Sequence, residues 1–139
     1  MTKDDCIFCK LANGVIPTNK IYEDDDFTVI LDAAPAARGH SLILPKQHSD
    51  NLYTLPDETA AKVMPLAKKI ANAMKESFHC DGVNVLQNNE EAAGQSVFHF
   101  HVHLIPRFKK DLLSLLWSPG KPSDEEQQKT CRELSDALK

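Results

Sequence analysis

An α+β fold, with a five-stranded antiparallel sheet, one long helix and short terminal helices, is predicted by three features of this 139-residue chain. Three strand-like runs follow one another closely near the N-terminus. A single long amphipathic pattern comes next, and two further strand-like runs come after it. Strands in hairpin order, a helix, then strands again make an antiparallel sheet with helices packed on it, not the strict alternation of a parallel sheet.

Each element has its own signal. Cys6-Ile7-Phe8-Cys9-Lys10-Leu11-Ala12 reads as a short helix closed by Asn13-Gly14, with Pro17 preventing continuation. Lys20–Glu23 is the first strand and Asp24-Asp25-Asp26 the turn into the second, the β-branched and aromatic run Phe27–Leu31. Ser41–Pro45 is the third. The long helix opens at Leu55-Pro56-Asp57 and carries Val63, Leu66, Ala67, Ile70, Ala71, Met74 and Phe78 on one stripe, with a kink expected at Pro65. Gly82–Gln87 and Phe98–Ile105 are the fourth and fifth strands. Ser123-Asp124-Glu125-Glu126 is a capping-box signature for a terminal helix.

Composition narrows the class. A hydrophobic content of 42% in 139 residues suits one domain with one core. The net charge of −4, with no basic run longer than two residues, predicts no nucleic-acid partner. No apolar run approaches the ~20 residues of a membrane span, and the N-terminus lacks the apolar core of a signal peptide. A cytoplasmic protein is expected, whose four cysteines act as thiols or metal ligands.

The run Phe98-His99-Phe100-His101-Val102-His103-Leu104-Ile105 alternates histidine with apolar residues. That is the side-chain period of a strand, so the imidazoles share one face and the apolar side chains the core face. Neighbouring histidines on one face stand about 6.6 Å apart and the outer two roughly 13 Å. One ion cannot take all three from this strand, so the three divide their labour. Gly94-Gln95-Ser96 just ahead offers N–H and O–H donors to phosphate oxygens, and Asn88 begins the same loop. Asp32, at a strand end, is either an acceptor for a ribose diol or a plain turn aspartate. Cys6 and Cys9 form a CxxC pair; with two imidazoles, His48 and one from the histidine run, they make a donor set for structural zinc. A redox pair is the alternative, although no strand precedes this one.

His99-Phe100-His101-Val102-His103-Leu104-Ile105 resembles the histidine-triad (HIT) signature. The match extends through Ala93–Phe98, Gln87-Asn88-Asn89, Gly39–His48 and Asp5–Lys10, and covers roughly residues 5 to 108. It is nearest to the Hint-like branch, in its zinc-containing bacterial form. The resemblance implies a homodimeric HIT domain over 5-108, with 109-139 a C-terminal extension of the same domain. It implies a nucleoside phosphoramidate hydrolase acting on a purine nucleotide conjugate. His101 is then the nucleophile that forms a nucleotidyl-histidine, His40 its hydrogen-bonded partner, and His103 and Ser96 act near the phosphate and leaving group. Asp32 holds the ribose, Asn88 and Gln95 the phosphate surroundings, and Ile7, Phe8, Leu11, Ile30 and Leu31 the base. Cys6, Cys9, His48 and His99 bind zinc. A dinucleoside polyphosphate hydrolase and a nucleotide-binding regulatory protein use the same pocket and are the alternatives. Transferase relatives carry glutamine at the third triad position; His103 here implies water as the final acceptor.

Overall fold

The five strands form a single antiparallel sheet in the order β1-β2-β3-β5-β4 in the computed structural model, which describes residues 2–139. Along the chain these are α1 (Ile7–Ala12), β1 (Lys20–Glu23), β2 (Phe27–Leu31), β3 (Ser41–Pro45), α2 (Asp57–Phe78), β4 (Gly82–Leu86), β5 (Val102–Arg107) and α3 (Asp124–Ala137). The first three strands are hairpin neighbours. The β1–β2 turn is set by Asp24, whose Oδ1 accepts the N–H groups of Asp26 and Phe27, each at 2.8 Å. β5 returns to pair with both β3 and β4.

Alternation splits the apolar residues between the two faces. Phe27, Val29, Ile43, Val102 and Leu104 meet Val63, Leu66, Ile70 and Met74 of α2 in the larger core. Ile30, Leu42 and Leu44 meet Ala12, Phe8 and Leu11 of α1 on the other face. Thr28 Oγ1 donates to the Ala12 carbonyl at 2.7 Å and fastens α1 there. Pro65 does not end α2. It leaves the Ala61 carbonyl without its helical N–H, but buried Val63, Leu66 and Ala67 on either side hold the helix to the sheet.

The fifth strand differs from expectation at its start. Phe98–His101 is irregular and the strand begins at Val102. β3 pairs with β5 only over Ser41–Ile43, opposite Leu104–Val102. Pro45 has no N–H to continue the ladder, and its carbonyl is taken by the His99 ring at 2.8 Å. The Phe100 N–H turns instead to the Ser49 carbonyl at 2.7 Å. Phe100 still reaches the α2 core, whereas Phe98 is 48% exposed instead of buried.

The Ser123/Glu126 capping box forms as expected, but α3 buries no residue. Leu112, Leu116 and Trp117 ahead of it are exposed. Gly39, entering β3, has φ +85, and a Cβ there would stand 2.3 Å from Phe78 Cε2 at the end of α2. Gly39→Ala is therefore expected to cost about 2–4 kcal/mol, from left-handed strain and a ring displaced from the core. Denaturant unfolding reads it; a loss below 1 kcal/mol would show that the loop relaxes freely.

Candidate functional site

Two clusters of polar side chains gather on the α1 side of the sheet. In the first, Cys6, the N-cap of α1, and Cys9, one turn later, face His48 and His99. Cys9 Sγ lies 3.4 Å from His48 Nδ1 and 3.4 Å from His99 Nδ1, and Cys6 Sγ lies 3.5 Å from His99 Nδ1. Sulfur and nitrogen on a tetrahedron with zinc bond lengths stand about 3.6 Å apart, so the spacing is that of ligands around one ion. The outer ring nitrogens agree. His99 Nε2 donates to the Pro45 carbonyl at 2.8 Å and His48 Nε2 to Asp50 Oδ1 at 2.7 Å. Each ring proton is thus held outward and each Nδ1 lone pair points inward, as metal-binding histidines require. Burial pushes the Cys9 thiol up and His99 down to about 4. The Cys9 thiolate is costly there without a cation beside it and the His99 ring stays neutral, the form that ligates metal, so the four residues suit a structural zinc.

The second cluster is made by the other histidines. His101 Nδ1 donates to the His99 carbonyl at 2.6 Å, which leaves the Nε2 lone pair free. Its ring stacks edge-on against Phe8, centroids 4.9 Å apart, and stands 4.9 Å from the His103 ring. His103 is opposite Leu42 in the β3–β5 register and so belongs to the α1 face. His40 Nε2 is 2.9 Å from His103 Nδ1, while His40 Nδ1 accepts the Ala36 N–H at 2.9 Å. Burial lowers the pKa of His40 and His101, and takes His103 to about 4, so all three imidazoles are neutral at pH 7.

Not every predicted residue takes its expected place. His40 bonds to His103 and not to His101, because the His101 ring is turned onto the backbone carbonyl two residues before it. Asp32 lies beside the cluster, with Oδ2 3.5 Å from His40 Nε2 and Oδ1 accepting the Ala34 N–H. Gln95 is buried, and its amide serves the loop: Nε2 donates to the Asp50 and Val97 carbonyls, and Oε1 accepts the Glu90 N–H. Ser96 is exposed next to it, and the Asn88 side chain rests against Gly94. Phe8, Leu11 and Ile30 share one apolar cluster and Ile7 is exposed, while Leu31, one step along the strand from Ile30, alternates to the opposite face. Asp50 and Ala36 were not foreseen. Only the short His48-x-Asp50 spacing hinted at the former, and nothing in a side chain marks a backbone N–H.

Comparison with known proteins agrees with this geometry. The HIT domain model matches residues 13–110. Adenosine 5'-monophosphoramidase HNT1 of Saccharomyces cerevisiae is 45% identical over 120 residues, which is 86% of this chain and 73% of that protein. The crystal structure of SMU.412c from Streptococcus mutans superposes with a TM-score of 0.95 at 37% identity, covering 99% of this chain and 88% of that one. A zinc-bound histidine triad family protein from Mycobacterium smegmatis gives 0.76 at 37% identity, covering 97% and 98%. The fold, the histidine cluster and these similarities have one common explanation: the chain belongs to the HIT domain family.

Proposed function

We propose that the protein hydrolyses a purine nucleoside 5'-phosphoramidate, or a related nucleotide conjugate, at its α-phosphorus. The observation that carries this reading is His101, a largely buried ring held by its Nδ1–H on the His99 carbonyl so that the Nε2 lone pair is left free. The similarity to a yeast adenosine 5'-monophosphoramidase supports the same substrate class. In the first step Nε2 bonds to phosphorus, the P–N bond to the amine breaks, and the amine leaves with a proton. In the second, water bonds to phosphorus and gives up a proton that replaces the one carried off by the amine, the P–Nε2 bond breaks with its electron pair returning to Nε2, and the nucleoside monophosphate is released.

His103, backed by His40, and Ser96 stabilise the phosphoryl oxygens and leaving group. Asp32 takes the ribose hydroxyls, with Asn88 close to the phosphate. Gln95 shapes the loop that presents Ser96. Ile7, Phe8, Leu11 and Ile30 form the base wall; Leu31, on the opposite face of β2, takes no part in it. Zinc at Cys6, Cys9, His48 and His99 is structural: it ties α1, and with it Phe8, to the segment that carries His101. Comparing an adenosine phosphoramidate with a diadenosine polyphosphate as substrates tests the reading, and turnover of the polyphosphate alone would refute it.

The working unit in this reading is a cytoplasmic homodimer. No helix among the described residues is long and apolar enough to cross a membrane. Leu52, Met64 and Val85 are exposed apolar residues around a cavity of about 350 Å³ between α2 and the edge strand β4, which suits a subunit contact. A monomer in sedimentation at micromolar concentration would exclude it. Residues 109–139 belong to the same domain as 5–108, supported by Arg107, which bonds to Asn84, Asp111 and the Leu113 carbonyl.

Acid stability offers a check on the buried imidazoles. His103 has a pKa of about 4 in the folded chain against an ordinary 6.5 unfolded, so its contribution is complete above 6.5 and is lost as pH falls toward 4. His103→Gln is expected to remove about 2 kcal/mol of the stability lost between pH 7 and pH 5. Denaturant curves at both pH values measure it, and an unchanged pH dependence would contradict the burial of this ring.

A further inference from the structure

We infer that the backbone N–H of Ala36 is a positioning group for catalysis: it holds the His40–His103 pair in one proton arrangement and thereby makes His103 a donor at the phosphoryl site. A peptide N–H only donates, and Ala36 N lies 2.9 Å from His40 Nδ1. That nitrogen therefore keeps its lone pair, and the proton of the neutral ring sits on Nε2. His40 Nε2 is 2.9 Å from His103 Nδ1, so the proton is donated there. His103 Nδ1 must then be an acceptor, and the His103 proton is on Nε2, which takes no protein partner among the described residues. Burial keeps both rings neutral, so neither has a second proton to blur the assignment.

The outcome is an alternation of chemical character across the site. His101 offers a lone pair at Nε2, and the neighbouring ring of His103 offers an N–H at its own Nε2. The opposite arrangement is otherwise open to the pair. Without the Ala36 N–H, His40 is free to carry its proton on Nδ1, accept from His103 Nδ1–H, and leave His103 with a lone pair facing a phosphoryl oxygen. Asp32 favours the same choice from the other side, its carboxylate 3.5 Å from His40 Nε2, whereas the Ala36 N–H is the group that holds the far nitrogen as an acceptor.

The same proton separates the two clusters. The ligand atoms of Asp32, His40 and His103 lie within 4.8 Å of one another, as do those of Cys6, Cys9, His48 and His99. A cation on His40 Nε2 would force the ring proton onto Nδ1, donor against donor with the Ala36 N–H. His48 and His99 instead rest their outer protons on acceptors. The geometry is a proton relay at one cluster and a cation cage at the other.

The donor role of His103 rests on the proposed hydrolysis; the proton arrangement does not. Long-range nitrogen–proton spectra of the histidine rings in the zinc-loaded, ¹⁵N-labelled protein at neutral pH read it without substrate. His40 and His103 are expected to carry their protons on Nε2 and His101 on Nδ1; a proton on Nδ1 of His40 or His103 would overturn the relay. Replacing Ala36 by its α-hydroxy analogue removes that N–H alone. The His103 signals should then move toward the other tautomer, and kcat for a phosphoramidate with a poor amine leaving group should fall about tenfold or more with little change in KM. Unchanged spectra and kcat would refute the inference. An enzyme with the expected spectra but no phosphoramidate turnover would refute the substrate reading and the donor role, leaving the proton arrangement standing.

Discussion

His101→Ala is expected to lower turnover of an adenosine phosphoramidate by a factor on the order of 10⁴ or more, while AMP still binds. Removing the nucleophile deletes the covalent route outright. Asp32 and the apolar wall of Leu11 and Ile30 remain to hold ribose and base, and Phe8 loses its edge-on contact with the His101 ring but is still held by α1 and its apolar cluster. Ser96→Ala, which removes one donor and leaves the nucleophile, should lose no more than about 10²–10³-fold. Quenching the wild type during turnover and mapping the adduct by mass spectrometry tests the assignment directly. Nucleotide on His99 or His103, or full activity in His101→Ala, would overturn it.

Stripping metal from the cysteine–histidine cluster, or making Cys9→Ser, is expected to destabilise the fold markedly. Cys9 is 39 residues from His48 and 90 from His99 along the chain, and a bound ion closes both spans at once. Occupancy at a hundred times Kd contributes about 2.7 kcal/mol. For a chain of this length that is a fall in Tm of about 8–10 °C on chelation. Phe8 should then leave its place against His101, so activity falls with metal content and not independently of it. Metal analysis of protein purified without chelator, with melting curves before and after removal, decides the matter. An absence of zinc, or an unchanged Tm on removal, would count against the cluster as a structural centre.

Much of the fold could be read because it depends on patterns the chain carries locally. The stripe from Val63 to Phe78, the Asp24 turn and the Ser123/Glu126 cap each need only neighbours three or four residues away. The start of β5 was misjudged because a period of two says nothing about which backbone groups remain free to pair. Pro45, more than fifty residues earlier, ends the ladder, and a side chain, His99, takes the carbonyl it leaves. The site was similarly divided. Residue types that ligate metal or attack phosphorus announce themselves, so the cysteines and histidines were visible. The partner of His40 was not, since it depends on which way the His101 ring turns. Gln95 resembled a phosphate donor because an amide looks the same whether it faces a ligand or its own loop.

The position of β5 between β3 and β4 has a consequence for how the protein is made. β4 pairs with no strand except β5, and β3 keeps one open edge until β5 arrives. A chain emerging from the ribosome therefore holds two unsatisfied edges, with Ile43 and Val85 on them, until Arg107 is out. Such edges are templates for pairing with other chains. Premature termination between residues 87 and 101 should yield a fragment that aggregates, while one ending after residue 111 has every strand of the sheet available. The interval in which both edges stand open is thus late and short, and it coincides with emergence of the histidine run itself.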